Sequence, residues 1–197
     1  MDFTVSSVLK NFMESLFVGF GILIPIFALI RTSNLKTIQV KDLFILQAVQ
    51  AVRLSGIFYA VLQIPMLYTI LKPAESATDS MVSISYPASY LVTIFFPALA
   101  YLIISQLFWM KKMYVSKTPL IILALLLLII PSPSVTALVS RLFADGQDYL
   151  PSSWTMFTSM MPGNLAVRTL LHIVIFFFTT FTLMLLSGRL KKIIGEK

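Results

Sequence analysis

The sequence predicts an all-α, polytopic integral membrane protein with about five transmembrane helices and a short interfacial helix. Of its 197 residues, 58% are apolar and only 12% are charged, and the mean hydropathy is +0.91. A soluble domain carries about twice that share of charge. The charges leave five uncharged stretches, each of about the length that crosses a bilayer as a helix. Because lipid offers no partner to backbone amides, and because strings such as LLLLII lack the alternation of a barrel strand, the spans should be helices.

Each uncharged stretch is expected to form one span within a single domain that covers residues 1–197. The spans are placed at about 13–31, 54–71, 86–110, 118–142 and 167–188. Pro131 and Pro133 interrupt the fourth span, which should kink or end there. Between the first two spans, apolar residues repeat at helical spacing and predict an interfacial helix at about 38–52. An outer loop rich in Ser, Pro and aromatic residues is expected at about 143–166.

Lysine and arginine are distributed unevenly between the two sides of the predicted membrane. Eleven of the 15 fall in the first loop, the third loop and the C-terminal segment, while Lys10, Lys72, Arg141 and Arg168 fall on the other side. Since cytoplasmic loops retain positive charge, the N-terminus is predicted outside and the C-terminus in the cytoplasm, as in a bacterial inner membrane. The net charge of +7 therefore indicates topology anchors and contacts with anionic lipids, not nucleic-acid binding.

Motifs that carry chemistry are sparse. One histidine and no cysteine exclude a multi-histidine or thiolate metal site and any disulfide within the chain. No GxSxG, HExxH or P-loop pattern occurs, so the sequence does not predict an enzyme. The acidic cluster DGQD at 145–148 is too short for an EF-hand and is interpreted as a solvated turn.

The charged and titratable residues inside the predicted spans are the candidate site. Arg168 and His172 lie one helical turn apart at the start of the last span, and Glu14 begins the first span on the same side. Because intramembrane charges usually pair inside the bundle, we expect Glu14 and Arg168 to approach one another, with His172 about 6 Å deeper. Alternatively, Arg168 reaches headgroup phosphates while His172 bonds a carbonyl of a neighbouring helix, or both contact another subunit.

His172 and Arg168 are also candidates for cofactor binding in the outer leaflet, although the sequence requires no cofactor. A histidine at this depth can hydrogen-bond a quinone or ligate haem b, with a methionine or another chain's histidine as second ligand. The Arg–His spacing resembles helices that anchor b-type haem in membrane cytochromes. The IVIFFFTTF that follows departs from the small residues which a haem pocket usually needs.

These observations favour a small membrane subunit that packs against partner chains in a larger membrane complex, with a respiratory complex preferred because of Arg168 and His172. One alternative is an electron-transfer protein that binds haem b or quinone at His172. The other is a small-solute transporter or channel. That alternative predicts that Glu14, Gln63 and Gln106 face one water-filled cavity, because a solute pathway is lined by ionisable and amide groups.

Overall fold

Six helices of five or more residues account for most of the chain that the computed structural model describes, which is residues 5–71, 88–132, 135–136, 138–139 and 165–190. They are α1 (Val5–Leu29), α2 (Leu35–Leu71), α3 (Ala88–Leu107), α4 (Lys111–Val115), α5 (Lys117–Ile129) and α6 (Leu165–Leu186). These residues contain no strand, so the all-helical prediction is confirmed for them. Three helices are long and apolar enough to cross a membrane, and two shorter ones are apolar. The membrane-protein prediction is confirmed to that extent.

α1 is the central helix and packs against α2, α5 and α6. It begins at Val5, earlier than the predicted position 13, and includes Lys10, which was expected to precede the span. Lys10 and Glu14 are four residues apart, which places the two opposite charges on one face of the helix. Because each charge compensates the other, the helix can continue through Lys10 and Glu14, although either charge alone would mark the end of a membrane span.

α2 is one continuous helix of 37 residues. This corrects the prediction of a separate interfacial helix at 38–52 followed by a span at 54–71. The helix starts at an Asn34 cap, whose Oδ1 accepts the Lys36 backbone N–H at 3.1 Å. Most side chains from residue 43 to residue 52 are buried among the other helices. Because it is charged, Arg53 was predicted to lie in a loop. Arg53 lies inside α2, where the groups described below as the arginine cluster contact its guanidinium.

α3, α4 and α5 are short because local features of the chain interrupt them. α3 passes into a tight turn in which Phe108, Trp109 and Met110 each donate to a carbonyl three residues earlier. α5 ends at Ile129, two positions before Pro131, so the predicted interruption of the fourth span coincides with the end of this helix. The 145–148 cluster and nearly all of the predicted outer loop lie outside the described residues.

Specific contacts define the direction of each helix relative to α1. Ser15 contacts His172, and a Cβ on Gly19 would lie 2.7 Å from Cγ of Phe176, so α6 runs parallel to α1 in register. α2 runs antiparallel, because Glu14 contacts Tyr59 at one end of the pair while residues 27 and 44 meet at the other. α6 ends where Gly188 adopts a left-handed conformation with φ of 67°.

The core is aromatic and centred on α1. Phe17, Phe20, Phe108 and Phe176 are fully buried. Phe17 stacks on Tyr101 with ring centroids 4.2 Å apart, and Phe20 meets the edges of Phe108 and Phe176 at 5.2 and 6.1 Å. These rings fill the space between α1, α3 and α6 and form a water-excluding layer in the middle of the bundle.

Candidate functional site

The carboxylate of Glu14 is held by a side chain of α2. The Tyr59 hydroxyl donates to Glu14 Oε1 at 2.8 Å. The amide of Gln63, one helical turn further along α2, lies within hydrogen-bonding reach of the same hydroxyl. Gln63 Oε1 is buried and accepts no hydrogen bond from the residues that the structure describes. The side chains of Gln63, Tyr59 and Glu14 therefore form a chain of polar groups that crosses from α2 to α1. The Gln63 end of this chain is the buried Oε1 atom.

Two cations complete this group. Lys10, one turn earlier in α1, and Arg168, on α6, both act electrostatically on the Glu14 carboxylate. We call this group the glutamate cluster, and its members are Lys10, Glu14, Tyr59, Gln63 and Arg168. The structure brings Glu14 and Arg168 into one neighbourhood, but the direct hydrogen bond of Glu14 goes to Tyr59. Whether these residues form a functional site stays a prediction.

His172 binds the residue next to Glu14. Its Nδ1 lies 2.8 Å from Ser15 Oγ, and Ser15 Oγ donates its hydrogen to the Asn11 carbonyl at 2.7 Å. Since a hydroxyl has one hydrogen, the histidine ring must be the donor to Ser15, and neutral His172 keeps its acceptor at Nε2. A bond to a neighbouring helix was one of the sequence alternatives, although the expected acceptor was a carbonyl.

The α1–α6 interface beside His172 is closed. A Cβ on Gly19 would lie 3.0 Å from the His172 carbonyl oxygen and 2.7 Å from Cγ of Phe176. The two helix backbones are therefore nearly in contact one turn from Ser15, and no space remains between them for a macrocycle. Phe176, one of the bulky residues after His172 that the sequence analysis noted, packs here against α1.

A second polar group lies on the other side of the aromatic core. Its members, which we call the arginine cluster, are Arg53, Gln106, Phe108, Trp109 and Tyr114. The Arg53 guanidinium donates to the Phe108 carbonyl and lies 5.0 Å from the ring centres of both Trp109 and Tyr114. Gln106 accepts from Trp109 Nε1 at 2.7 Å and donates to the Arg53 carbonyl at 3.4 Å. The cluster thus provides a hydrogen-bond donor for the Phe108 carbonyl at the C-terminal end of α3.

The two clusters are separate. Glu14 and Gln63 belong to the glutamate cluster, whereas Gln106 is bonded within the arginine cluster. Part of the aromatic core packs between the two clusters. It consists of the buried Phe17–Tyr101 stack and the rings of Phe20 and Phe108. The transporter alternative expected these three residues to face one cavity, and within the described residues they lie in two separate hydrogen-bonded groups. Across the described part of the chain, no three acidic or histidine side chains gather as metal ligands would.

Sequence reasoning missed Tyr59 and Ser15 as partners of the candidate residues. Tyr59 had a usable signal, because it precedes Gln63 by four residues and so shares a helix face with it. Ser15 had none beyond its position next to Glu14. No family model, curated protein or solved structure matches the chain. Its function is therefore argued from the geometry of its own residues.

Proposed function

We propose that this protein is a small integral membrane subunit that packs within a larger membrane complex. In this proposal it crosses the membrane five times, as α1, α2, α3 with α4, α5 and α6, with the N-terminus outside and the C-terminus cytoplasmic. The antiparallel α1–α2 pair and the parallel α1–α6 pair support this alternation. So does the meeting of Lys41 and Lys117 beside Ala28, because these basic residues then lie at one end of the bundle.

The proposal rests on the low burial of α6 compared with α1 and α2. In its most apolar window, 22% of the residues are buried, against 44% in the corresponding windows of α1 and α2. α6 packs on α1 and, less extensively, on α2, so it covers one edge of the described bundle. Its other face presents large side chains such as Phe178, with 64% of its surface exposed, and the parallel rings of Phe177 and Phe181. A partner helix on this face would bury the least-covered of the three long apolar helices in the described part of the chain.

The polar residues support a structural role over the two alternatives. The charges of Glu14 and Arg53 have partners within the bundle, and an aromatic layer packs between them. A solute pathway would need polar groups that follow one another through the membrane. The closed contact between α1 and α6 at Gly19 supports a packing role for this histidine over haem ligation.

Site-specific photo-crosslinking tests the subunit proposal. A photoreactive phenylalanine analogue replaces Phe178 in one sample and Phe58 of α2, which is 55% exposed, in the other. After irradiation in intact membranes and gentle extraction, position 178 should give a discrete protein adduct and position 58 should not. Mass spectrometry of the adduct identifies the partner and distinguishes a respiratory complex from a secretory or a transport complex. Lipid adducts alone at both positions, with a lone monodisperse protein, would overturn the proposal.

An absorption spectrum of the same sample tests the electron-transfer alternative. The subunit proposal expects no Soret band, because the helix interface beside His172 is closed. A Soret band that disappears in His172→Ala but persists in Met184→Leu would replace the proposal with a haem protein. Met184 is a suitable control because it is a buried residue of the same helix, three turns further on.

A further inference from the structure

A cavity of about 380 Å³ opens where the end of α1 meets α2, α4 and α5. Lys41 and Asp42 of α2, Tyr114 of α4 and Lys117 of α5 contribute its polar lining. These four residues come from three helices, so the folded bundle assembles the cavity and no single sequence segment encodes it. Neither the glutamate cluster nor the proposed partner face of α6 includes it.

The polar lining carries a net charge of about +1, from two ammonium groups and one carboxylate. The Lys41 ammonium donates one hydrogen to the Ile30 carbonyl at 3.2 Å and so keeps two donors for a ligand. Lys117 is exposed and, within the described residues, forms no ion pair. Asp42 is also exposed at the same opening. Two cationic donors from different helices next to one acceptor suit an anion that also carries a hydrogen-bond donor.

The remaining lining is apolar. Ala28 and Leu120 are each 3% exposed, and Ile45 is 9% exposed, so these side chains belong to the packed core. A ligand that fills the cavity must therefore present an apolar portion next to its charged group. The cavity also lies at the end of the bundle that holds the α1–α2 and α4–α5 connections, beside helices apolar enough to lie in lipid. An amphiphile in the membrane fits both conditions.

We propose that this cavity binds the headgroup of a monoanionic, hydroxyl-bearing phospholipid of the phosphatidylglycerol type from the adjacent leaflet. The phosphodiester lies between the ammonium groups of Lys41 and Lys117, which donate to its oxygens. A headgroup hydroxyl donates to the Asp42 carboxylate. The glycerol backbone and the first acyl carbons contact Ala28 and Leu120. Basic pockets between membrane helices are a recurrent site for anionic headgroups.

The Asp42 carboxylate distinguishes between lipids that differ in headgroup charge and in hydrogen-bond donors. Doubly ionised phosphatidic acid carries more negative charge than the cavity neutralises and has no hydroxyl to donate to this carboxylate. Phosphatidylethanolamine is net neutral and leaves the positive charge of the cavity uncompensated. A water-soluble phosphate ester provides the anion but leaves the apolar floor at Ala28 and Leu120 without a contact. The monoanionic lipid with hydroxyl groups is the one that matches all three features of the lining.

Native mass spectrometry of the purified full-length protein tests this assignment. The protein is exchanged into detergent that contains equal amounts of phosphatidylglycerol, phosphatidylethanolamine and phosphatidic acid. We expect retention of phosphatidylglycerol to fall about fivefold in Lys41→Gln and in Lys117→Gln, the size expected for one lost lysine contact at a membrane surface. Lys112→Gln is the matched control, because Lys112 is an exposed lysine of α4 that does not line the cavity. Asp42→Asn should lower the preference for phosphatidylglycerol over phosphatidic acid.

Four results would overturn the assignment. An equal loss of lipid in Lys112→Gln would show diffuse attraction to the basic surface. Equal retention of phosphatidylethanolamine would contradict the charge match, and competition by millimolar sn-glycerol 3-phosphate would show a site for soluble phosphate esters. Lys41→Arg keeps the charge and should keep the lipid. Loss of lipid in that variant, at unchanged thermal stability, would also refute the proposal.

Discussion

The hydroxyl of Tyr59 donates to Oε1 of Glu14 at 2.8 Å and joins α2 to α1 within the bundle. Arg53 makes the corresponding connection from α2 to the end of α3, through the Phe108 carbonyl. The charged side chains of Glu14 in α1 and Arg53 in α2 are therefore compensated by groups on other helices. This compensation makes the stability of the bundle sensitive to single polar substitutions.

Tyr59→Phe should destabilise the protein by about 1 to 2 kcal/mol, the range for a hydrogen bond between membrane helices. The substitution keeps the ring and its edge contact with Phe17 but removes the only hydrogen bond shown to reach Glu14 within the described residues. Reversible unfolding in detergent measures the loss. In a Glu14→Gln background the loss should shrink, because the uncharged amide is easier to leave without a donor.

Tyr101→Phe is the control for this prediction. Tyr101 is buried against the same Phe17 ring, but the structure shows no hydrogen bond for its hydroxyl within the described residues. Its replacement should change stability by less than about 0.5 kcal/mol, as for a substitution that removes no partner. Equal effects of the two substitutions would mean that the Tyr59–Glu14 bond contributes nothing specific.

Arg53→Lys should weaken the connection between α2 and the α3–α4 turn. Lysine keeps the charge but loses the planar group that contacts Trp109 and Tyr114 and donates to Phe108. We expect a loss of about 1 kcal/mol or more, because a single ammonium cannot reproduce these contacts. In a Trp154→Phe background, Trp109 is the only tryptophan, so its fluorescence emission reports the change directly.

Arg31→Lys is the control for Arg53. Arg31 lies exposed between α1 and α2, away from both clusters. Its replacement should leave the Trp109 emission maximum and the unfolding midpoint unchanged. A similar spectral shift in both variants would show that general surface charge acts on Trp109, and not the Arg53 guanidinium.

The double variant Gly56→Cys with Ser105→Cys should form a disulfide between α2 and α3. A Cβ on Gly56 would lie 2.7 Å from the Ser105 Cβ, so a small relaxation brings the pair into the range of about 3.5 to 4.5 Å that a disulfide requires. The native chain contains no cysteine that would compete. Mass spectrometry of peptides from the oxidised protein detects the link.

Gly56→Cys with Leu99→Cys provides the comparison for that pair. Leu99 is also on α3 but is 54% exposed and nearly two turns from Ser105, so its side chain points away from α2. This pair should stay reduced under the same oxidant. If it links as readily as the first pair, the close approach of α2 and α3 at Gly56 is wrong.

The proposed orientation predicts which positions are accessible from outside the cell. Ser6→Cys near the start of α1 should react with a membrane-impermeant maleimide on intact cells, and Ser33→Cys in the α1–α2 connection should react only after lysis. Both serines are exposed in the structure, so a failure to react reflects the membrane and not burial. The reverse pattern would place the N-terminus in the cytoplasm.

The uncharged stretches were sufficient to predict where apolar helices occur, because a charge without a partner is costly in lipid. The same reasoning failed at Arg53 and at Lys10. It treated each charge as exposed to water, whereas Arg53 has its acceptor at Phe108 and Lys10 shares a helix face with Glu14. The interfacial helix at 38–52 was a consequence of that assumption, since a charge at position 53 implied a break.

The candidate site was predicted in part for a related reason. Glu14, Arg168 and His172 were identifiable because titratable residues are rare inside spans. Their direct partners, Tyr59 and Ser15, are of types that occur throughout membrane helices for ordinary structural reasons. Only the register between helices distinguishes these two from the other tyrosines and serines, and helix register depends on the packing of α1 against α2 and α6, which no local pattern encodes.

The sequence distances between bonded partners imply an order of assembly during synthesis. Glu14 meets Tyr59 45 residues later and Arg53 meets Phe108 55 residues later, whereas Ser15 meets His172 only after 157 residues. At about 5 to 20 residues per second, the α1–α2 hairpin exists for roughly 6 to 23 s after Tyr59 is made, before the ribosome delivers the helix that covers Ser15 and Gly19. During this interval the surface of α1 that will receive α6 is unoccupied. A chaperone or insertion factor that shields it would act in that interval, and its substrate would be the nascent chain before α6 emerges.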